Sequence, residues 1–390
     1  MKKKIVTAAS ILTLISLLTG CYPTGKKPAQ NNNVGGGGDV GIDSGGGSTN
    51  SGANGGSSDE GYPDIQLPEN LSLKMEQPQS TPSELPEITL SLRKWDQKNM
   101  EKIFLEGKEI EEEWVHDESN FPNEKLYYYE TNDGFRLIFQ RGQFMFDDTA
   151  MLDNEFKYGH IYFLGTPYGA PPFESGEDLA AFTQKEARSR VEPFLDKLGI
   201  TNYGEPIVVP IKADFANQIL ARRKEVADLN GTPFDYTPWT TDEEIYVLHY
   251  PLVYEGVELT MDSISLQQEE AGTYGSEIIA AVAKDKLINL TAWDIYDESY
   301  DATEKIALNY DYPMAVRELK QYFSNQILQW PETYKDSKVI YVPYHKVDYT
   351  TFTFKPAWDF AGYSEDDSIQ NRAERHQIFY ADTGMRYKEG

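Results

Sequence analysis

Apolar residues recur at helical spacing in four stretches, separated by short aromatic runs that read as strands. Leu92, Trp95, Met100, Ile103 and Phe104 line one side of a helix that Gly107 stops. Ser175 and Asp178 resemble a capping box opening a second helix, with Leu179, Phe182, Val191, Leu195 and Leu198 inward, Pro193 as a kink and Gly199 as its close. A third helix is expected over 213–229. A fourth starts at Pro313 and turns Val316, Leu319, Phe323 and Ile327 inward. Strands are expected at 126–130, 135–140, 143–146 and 160–164, then at 206–211, 244–253, 258–266, 276–283 and 287–296. The last set lies at 338–343, 350–361, 377–381 and 385–388. Asn132-Asp133-Gly134 joins the first two strands as a hairpin, because Asp-Gly supplies the positive φ of a tight turn.

One strand has a clean period of two. Phe352, Phe354, Pro356, Trp358 and Phe360 share a side that packs on a helix, while Thr351, Thr353, Lys355 and Asp359 share a wet side. Pro356 cannot donate to a ladder, so this strand is expected at an edge or bulged there. Helix followed by strand meander recurs about three times, which is an α+β plan of tandem helix-plus-antiparallel-sheet modules rather than α/β. The loop at 166–172 marks a boundary between a first module at 87–165 and a second region at 173–390.

The start of the chain is different. Three lysines precede an apolar run from Ile5 to Leu18, about fourteen residues and short for a permanent membrane span; Leu18-Thr19-Gly20-Cys21 follows. This resembles a bacterial lipoprotein signal peptide (1–20) with its lipobox. The resemblance implies cleavage between Gly20 and Cys21, a diacylglycerol on the Cys21 sulfur, and often a second acylation, such as palmitate, on the new amino group. An uncleaved amphipathic anchor or an ordinary secretory signal are the alternatives. Residues 22–61 hold thirteen glycines, five serines and five asparagines, with nothing to offset the entropy of ordering them. Such a coil spans about 35 Å. The Pro-rich continuation carries a short strand near 71–75 and extends the linker to 86, so that the lipidated cysteine and linker occupy 21–86.

Cys21 is the only cysteine, so packing alone must hold the folded part together. The formal net charge is −27, and loss of residues 1–20 makes it −30. That charge opposes phosphate backbones and anionic headgroups, so nucleic acid is excluded and membrane attachment falls to acyl chains on Cys21. The implied location is the cell membrane, lipid-anchored on its extracytoplasmic side.

No catalytic constellation stands out, and no cofactor or metal is expected. His116, His160, His249, His345 and His376 are scattered, and His160 and His249 fit hydrogen-bonded structural roles within strands. Asp294, Asp297, Glu298, Asp301 and Glu304, and Glu365, Asp366 and Asp367, are dense enough for calcium but lack the loop order and its glycine. Tyr127-Tyr128-Tyr129, Trp239, Trp293 and Trp358 offer a stacking platform for sugars or a peptide, although Tyr128 and Trp358 read as core.

The C-terminal pattern Lys355-Pro356-Ala357-Trp358-Asp359-Phe360, a variable loop, then Ile378-Phe379-Tyr380-Ala381-Asp382-Thr383-Gly384, resembles the ending of PepSY-type domains and of the YycH/YycI extracytoplasmic regulators. Lys286-Leu287-Ile288-Asn289-Leu290 stands where those proteins have a Gly-Ile-x-x-Leu strand, here without the glycine. The resemblance covers 175–390, with Pro356, Trp358, Phe360, Asp382 and Gly384 as its pattern positions. It implies an uncharacterised lipoprotein family of Gram-positive envelopes whose members bind and regulate a protease or sensor-kinase ectodomain, without catalysis. Those regulators are anchored by a membrane helix, whereas this chain has a lipobox. A solute- or glycan-binding lipoprotein and an envelope hydrolase are the competing functions. The contact surface is expected on the wet side, or an edge, near Pro356.

Overall fold

The computed structural model describes residues 65–117, 124–149, 178–231, 234–261, 264–266, 271–273, 275–366 and 371–387. The signal peptide, Gly20, Cys21, the linker to 64, the strand expected at 160–164, the loop at 166–172, Ser175 and Asp367 lie outside these residues. Ile65–Gly390 form one compact unit.

Four helices are described: α1 (Gln97–Leu105), α2 (Gln184–Leu198), α3 (Ala213–Leu229) and α4 (Tyr312–Ser324). The early strands are β1 (Leu71–Leu73), β2 (Glu84–Leu85), β3 (Ile88–Ser91), β4 (Ile110–Asp117), β5 (Lys125–Thr131), β6 (Phe135–Gln140) and β7 (Gln143–Asp148). The middle strands are β8 (Ile207–Ile211), β9 (Ile245–Pro251), β10 (Val253–Tyr254), β11 (Val257–Leu259), β12 (Ile264–Leu266), β13 (Ala271–Thr273), β14 (Glu277–Ala283) and β15 (Leu287–Trp293). After them come β16 (Asp301–Ala302), β17 (Ile306–Ala307), β18 (Glu332–Lys346), β19 (Thr351–Asp366) and β20 (Asn371–Tyr380).

The fold is α+β, but its sheets do not follow chain order. The first sheet runs β4-β5-β6-β7-β15-β14-β9-β8, so strands before and after the expected boundary at 166–172 share one ladder. Phe146 of β7 lies opposite Leu290 of β15. The second sheet runs β10-β11-β18-β19-β3-β16, with β1 beside β18 and β20 beside β19. Its frame is the long β18–β19 hairpin. The Pro-rich stretch expected as linker to 86 is partly built in, since β1 pairs with β18 and β2 with β17.

The alternation of β9 explains the layering. Tyr246 and Leu248 enter the largest core, together with Phe104 of α1 and Val191 and Leu195 of α2. Val247, on the opposite side, packs with Ala216 and Leu220 of α3. Phe352 and Phe354 of β19 join the first of these cores, while Trp358 and Phe360, on the same side of that strand, pack against Leu319 and Phe323 of α4. One strand thus ties two cores together.

Helix ends obey local chemistry, with three corrections. Leu92 and Trp95, expected on the first helix, are buried ahead of it, Leu92 in a bridge to Tyr296. α1 starts after Asp96, whose Oδ1 accepts from the Asn99 amide at 2.8 Å. α2 starts later than expected: Thr183 and Glu186 form the capping box, and Leu179 and Phe182 are buried ahead of the helix. Its chain continues through Pro193 and ends at Gly199, which has φ +66°. α4 ends at Ser324 with Asn325 as cap, and Ile327, expected inward, is fully exposed. No helix among the described residues is long and apolar enough to cross a membrane.

Candidate functional site

The side of β19 expected to be wet gathers polar and aromatic chemistry, but it is not open to solvent. Thr351, Thr353 and Lys355 are half-buried, and Asp359 is buried beside Ala357, because β18 and β20 pack a second small core there. Thr351 and Thr353 exchange hydroxyl hydrogen bonds with Ser91 and Thr89 of β3, at 3.0 and 3.1 Å. Lys355 pairs with Glu87 at 3.0 Å. Burial is the largest single influence and depresses the Lys355 ammonium, but the hydrogen bond and charge of Glu87, together with Tyr344 and Asp382, outweigh it and leave its pKa above the ordinary lysine value.

Two irregularities in the β18–β19 ladder matter here. Register shifts lie between Tyr334 and Asp336 and between Pro343 and His345. The second leaves Tyr344 as the extra residue of a bulge. Its ring sits 3.9 Å from the Lys355 ammonium and meets Tyr380 edge-on at 5.9 Å. Tyr380 in turn contacts Tyr387 at 5.6 Å, and the Tyr387 hydroxyl donates to the Pro343 carbonyl at 3.1 Å. Tyr344, Val347 and Tyr349 are about half exposed, at 49, 54 and 58%. Lys346 lies over the Tyr349 ring at 4.6 Å. The hairpin tip is therefore an aromatic surface studded with lysines. Asp348 shapes its turn by accepting from the Thr350 amide at 2.7 Å, and this bond holds its carboxyl below the usual aspartate range.

Farther along the same side, charges cross four strands: Glu258 of β11, Lys338 of β18, Asp359 of β19, and His376 and Glu374 of β20. Lys338 pairs with Glu258. Burial depresses the Lys338 ammonium, but the Glu258 and Asp359 carboxylates outweigh that and raise its pKa. Asp359, only 3% exposed, faces His376 Nδ1 through both oxygens at 2.9 and 3.0 Å, and Glu374 faces Nε2 at 3.1 Å. The cavity beside them measures about 20 Å³, room for one water. This row satisfies buried charges with one another, and a cavity of that size admits no substrate.

The pattern positions turn out to be architectural. Pro356 is buried in the middle of the sheet rather than at an edge, and no register shift occurs at it. On one side Tyr341 lies opposite it; on the other, β3 ends at Phe354 and β20 begins at Ala357. The missing N–H thus falls where the neighbouring strand changes. The Pro356 carbonyl accepts from Ala381 at 3.1 Å. Trp358, fully buried with Phe360, donates from Nε1 to the Tyr310 carbonyl at 2.8 Å. Tyr310 donates its amide to Ala381 at 3.0 Å, and the Asp382 carbonyl accepts from Asn309 at 3.5 Å. Gly384 has φ +67°, and a Cβ there would lie 2.1 Å from the Tyr310 ring. Tyr310, which the sequence pattern does not contain, is the point on which this ending closes.

Other candidates disperse. Asp294 accepts from Gln143 at 3.2 Å, and Glu298 accepts from the Thr201 hydroxyl and amide at 2.6 and 3.0 Å, which holds its carboxyl below the usual range. Among the described residues no group of three His, Cys, Asp or Glu side chains is arranged to hold a metal ion. His249 meets Glu277 at 2.9 Å within the first sheet, the hydrogen-bonded structural role expected of it. Trp239 and Trp358 are buried, so the stacking platform does not assemble. Tyr128, expected in the core, is half-buried and stacks instead on Trp114 of β4.

No family model matches the chain, and no curated protein matches it. A solved structure of an uncharacterized protein from Eubacterium rectale ATCC 33656 has a similar fold, with a TM-score of 0.59 and 11% identity over 83% of this chain and 92% of that one.

Proposed function

We propose that this chain is a lipid-anchored extracytoplasmic protein that binds another envelope protein or peptide and modulates it, rather than an enzyme. The carrying observation is Tyr344. It stands about half exposed at a bulge, beside Lys355 and Tyr380, on a hairpin whose other side is locked into two cores. A rigid scaffold presenting exposed aromatic rings is the usual anatomy of a protein contact, where tyrosines carry much of the affinity. The lipobox-like Leu18-Thr19-Gly20-Cys21 supports the anchor, with the protein on the outer side of the cell membrane. The Pro356–Gly384 pattern supports kinship with PepSY-type and YycH/YycI regulators, hence a protease or sensor-kinase ectodomain as partner.

A photo-crosslinking residue placed at 344 in intact cells tests the reading, with position 229, where Leu229 is 86% exposed, as control. The expected result is an adduct with an envelope protein at 344 alone. Absence of an adduct, or the same adducts at both positions, overturns it. Anchoring is tested separately: Cys21→Ala should abolish palmitate labelling and release the protein from membranes.

A further inference from the structure

β4 is the outermost strand of the first sheet. It pairs with β5 on one side, and among the described residues nothing pairs with the other. All eight of its residues are exposed except Trp114, which is half-buried. Natural sheets keep free edges short, bulged or covered, because an open row of N–H and C=O groups recruits another chain. The one bulge in β4 lies at its start, between Ile110 and Glu112, and the remaining edge is regular.

Charge decides which chain it can recruit. Glu111, Glu112, Glu113 and Asp117 stand on this strand, with no lysine or arginine between Lys108 and Lys125. A second copy would bring four more carboxylates and no lysine or arginine against this edge, a net repulsion. A basic strand meets the reverse situation. Aromatic geometry adds an independent feature. Trp114 stacks on its cross-strand partner Tyr128 at 4.6 Å and 3°, and His116 meets it edge-on at 4.8 Å. Because Tyr128 covers the inner face of the indole, the outer face turns past the edge of the sheet. Glu112 and Glu130 lie directly opposite each other one step along the same side. Glu130 accepts from the Tyr128 hydroxyl at 2.8 Å, and Arg136, next in that row, bonds Asp147 at 2.9 Å. Glu112, the outermost carboxylate of this row, and the Trp114 indole beside it form a seat for a cation at the free edge.

We propose that β4 takes an extended, basic segment of a partner protein as a further antiparallel strand, with a lysine or arginine side chain lying over Trp114 beside Glu112. This surface is separate from the Tyr344 tip, and the proposal stands or falls without it.

The test uses the full chain and three synthetic peptides of about nine residues, long enough to cover the edge. One alternates lysine and threonine, one alternates glutamate and threonine, and one is the lysine peptide with alternate amides N-methylated. The expected result is that the lysine peptide binds, about tenfold more weakly at 0.5 M than at 0.05 M salt. N-methylation should weaken it about tenfold or more, because the ladder cannot form. Trp114→Ala, with circular dichroism confirming the fold, should weaken it about five- to tenfold. Equal binding of the N-methylated or the glutamate peptide overturns the proposal, as does no binding of the lysine peptide at millimolar concentration. Binding of a neutral oligosaccharide at Trp114 in place of the peptide would overturn it too.

Discussion

The hairpin tip and the β4 edge both expose aromatic rings, yet they differ in charge and in support. At the tip, lysines lie against tyrosines: Lys355 by Tyr344 and Lys346 by Tyr349. On β4, glutamates surround a tryptophan. The tip belongs to a strand pair buried along one side in two cores, whereas β4 contributes almost nothing to any core. Their difference separates residues that keep the fold from residues free to be read by partners. In a chain of net charge −27, lysines lying against tyrosines are the less expected of the two, even with Glu87 paired to Lys355 and Asp348 in the turn. On the readings proposed above, the tip and the edge would take different partners.

The largest effect should come from removing the support under the tip. Trp358→Ala deletes a fully buried indole and its bond to Tyr310, and should cost about 3–5 kcal/mol by chemical denaturation. A loss below about 1 kcal/mol would mean that the β19–α4 core does not bear the hairpin. Gly384→Ala should follow, at about 2–4 kcal/mol, since a Cβ there adopts a left-handed backbone and overlaps the Tyr310 ring. Tyr344→Ala and Trp114→Ala should each change stability by less than about 1 kcal/mol. Tyr344→Ala should nonetheless abolish binding of the partner crosslinked at 344. If either substitution unfolds the protein, the division between support and surface fails.

The smallest effect concerns acid. Asp348 has its pKa depressed below 3.8 by the Thr350 amide, so the ordering it gives the tip is complete above the unfolded value and is lost as pH falls through the lower folded one. Amide exchange at 347–351 should therefore rise only in that acidic window. In Asp348→Asn that pH dependence should vanish.

How much of this was legible follows from what each segment buries. β19 announced its two sides because one of them is wholly apolar, and α3 matched its expected bounds. β4 gave no signal, since Glu111-Glu112-Glu113 has no period of two and an edge exposed on all sides needs none. Tyr344 was missed because the expected strand stopped at 343, although it falls two residues after Val342 on the side that faces Lys355. Pro356 read as an edge marker because a missing donor demands an empty neighbour. The sheet meets that demand at the junction of β3 and β20. The pairing of β7 with β15 joins segments far apart in the chain, which local pattern does not encode.

The most direct test is hydrogen exchange on the full chain with and without the partner that crosslinks at 344. Protection confined to the tip at 343–355, with 110–117 unchanged, is the predicted result. Protection elsewhere, with the tip exchanging as in the free protein, would contradict the reading of Tyr344 as the contact.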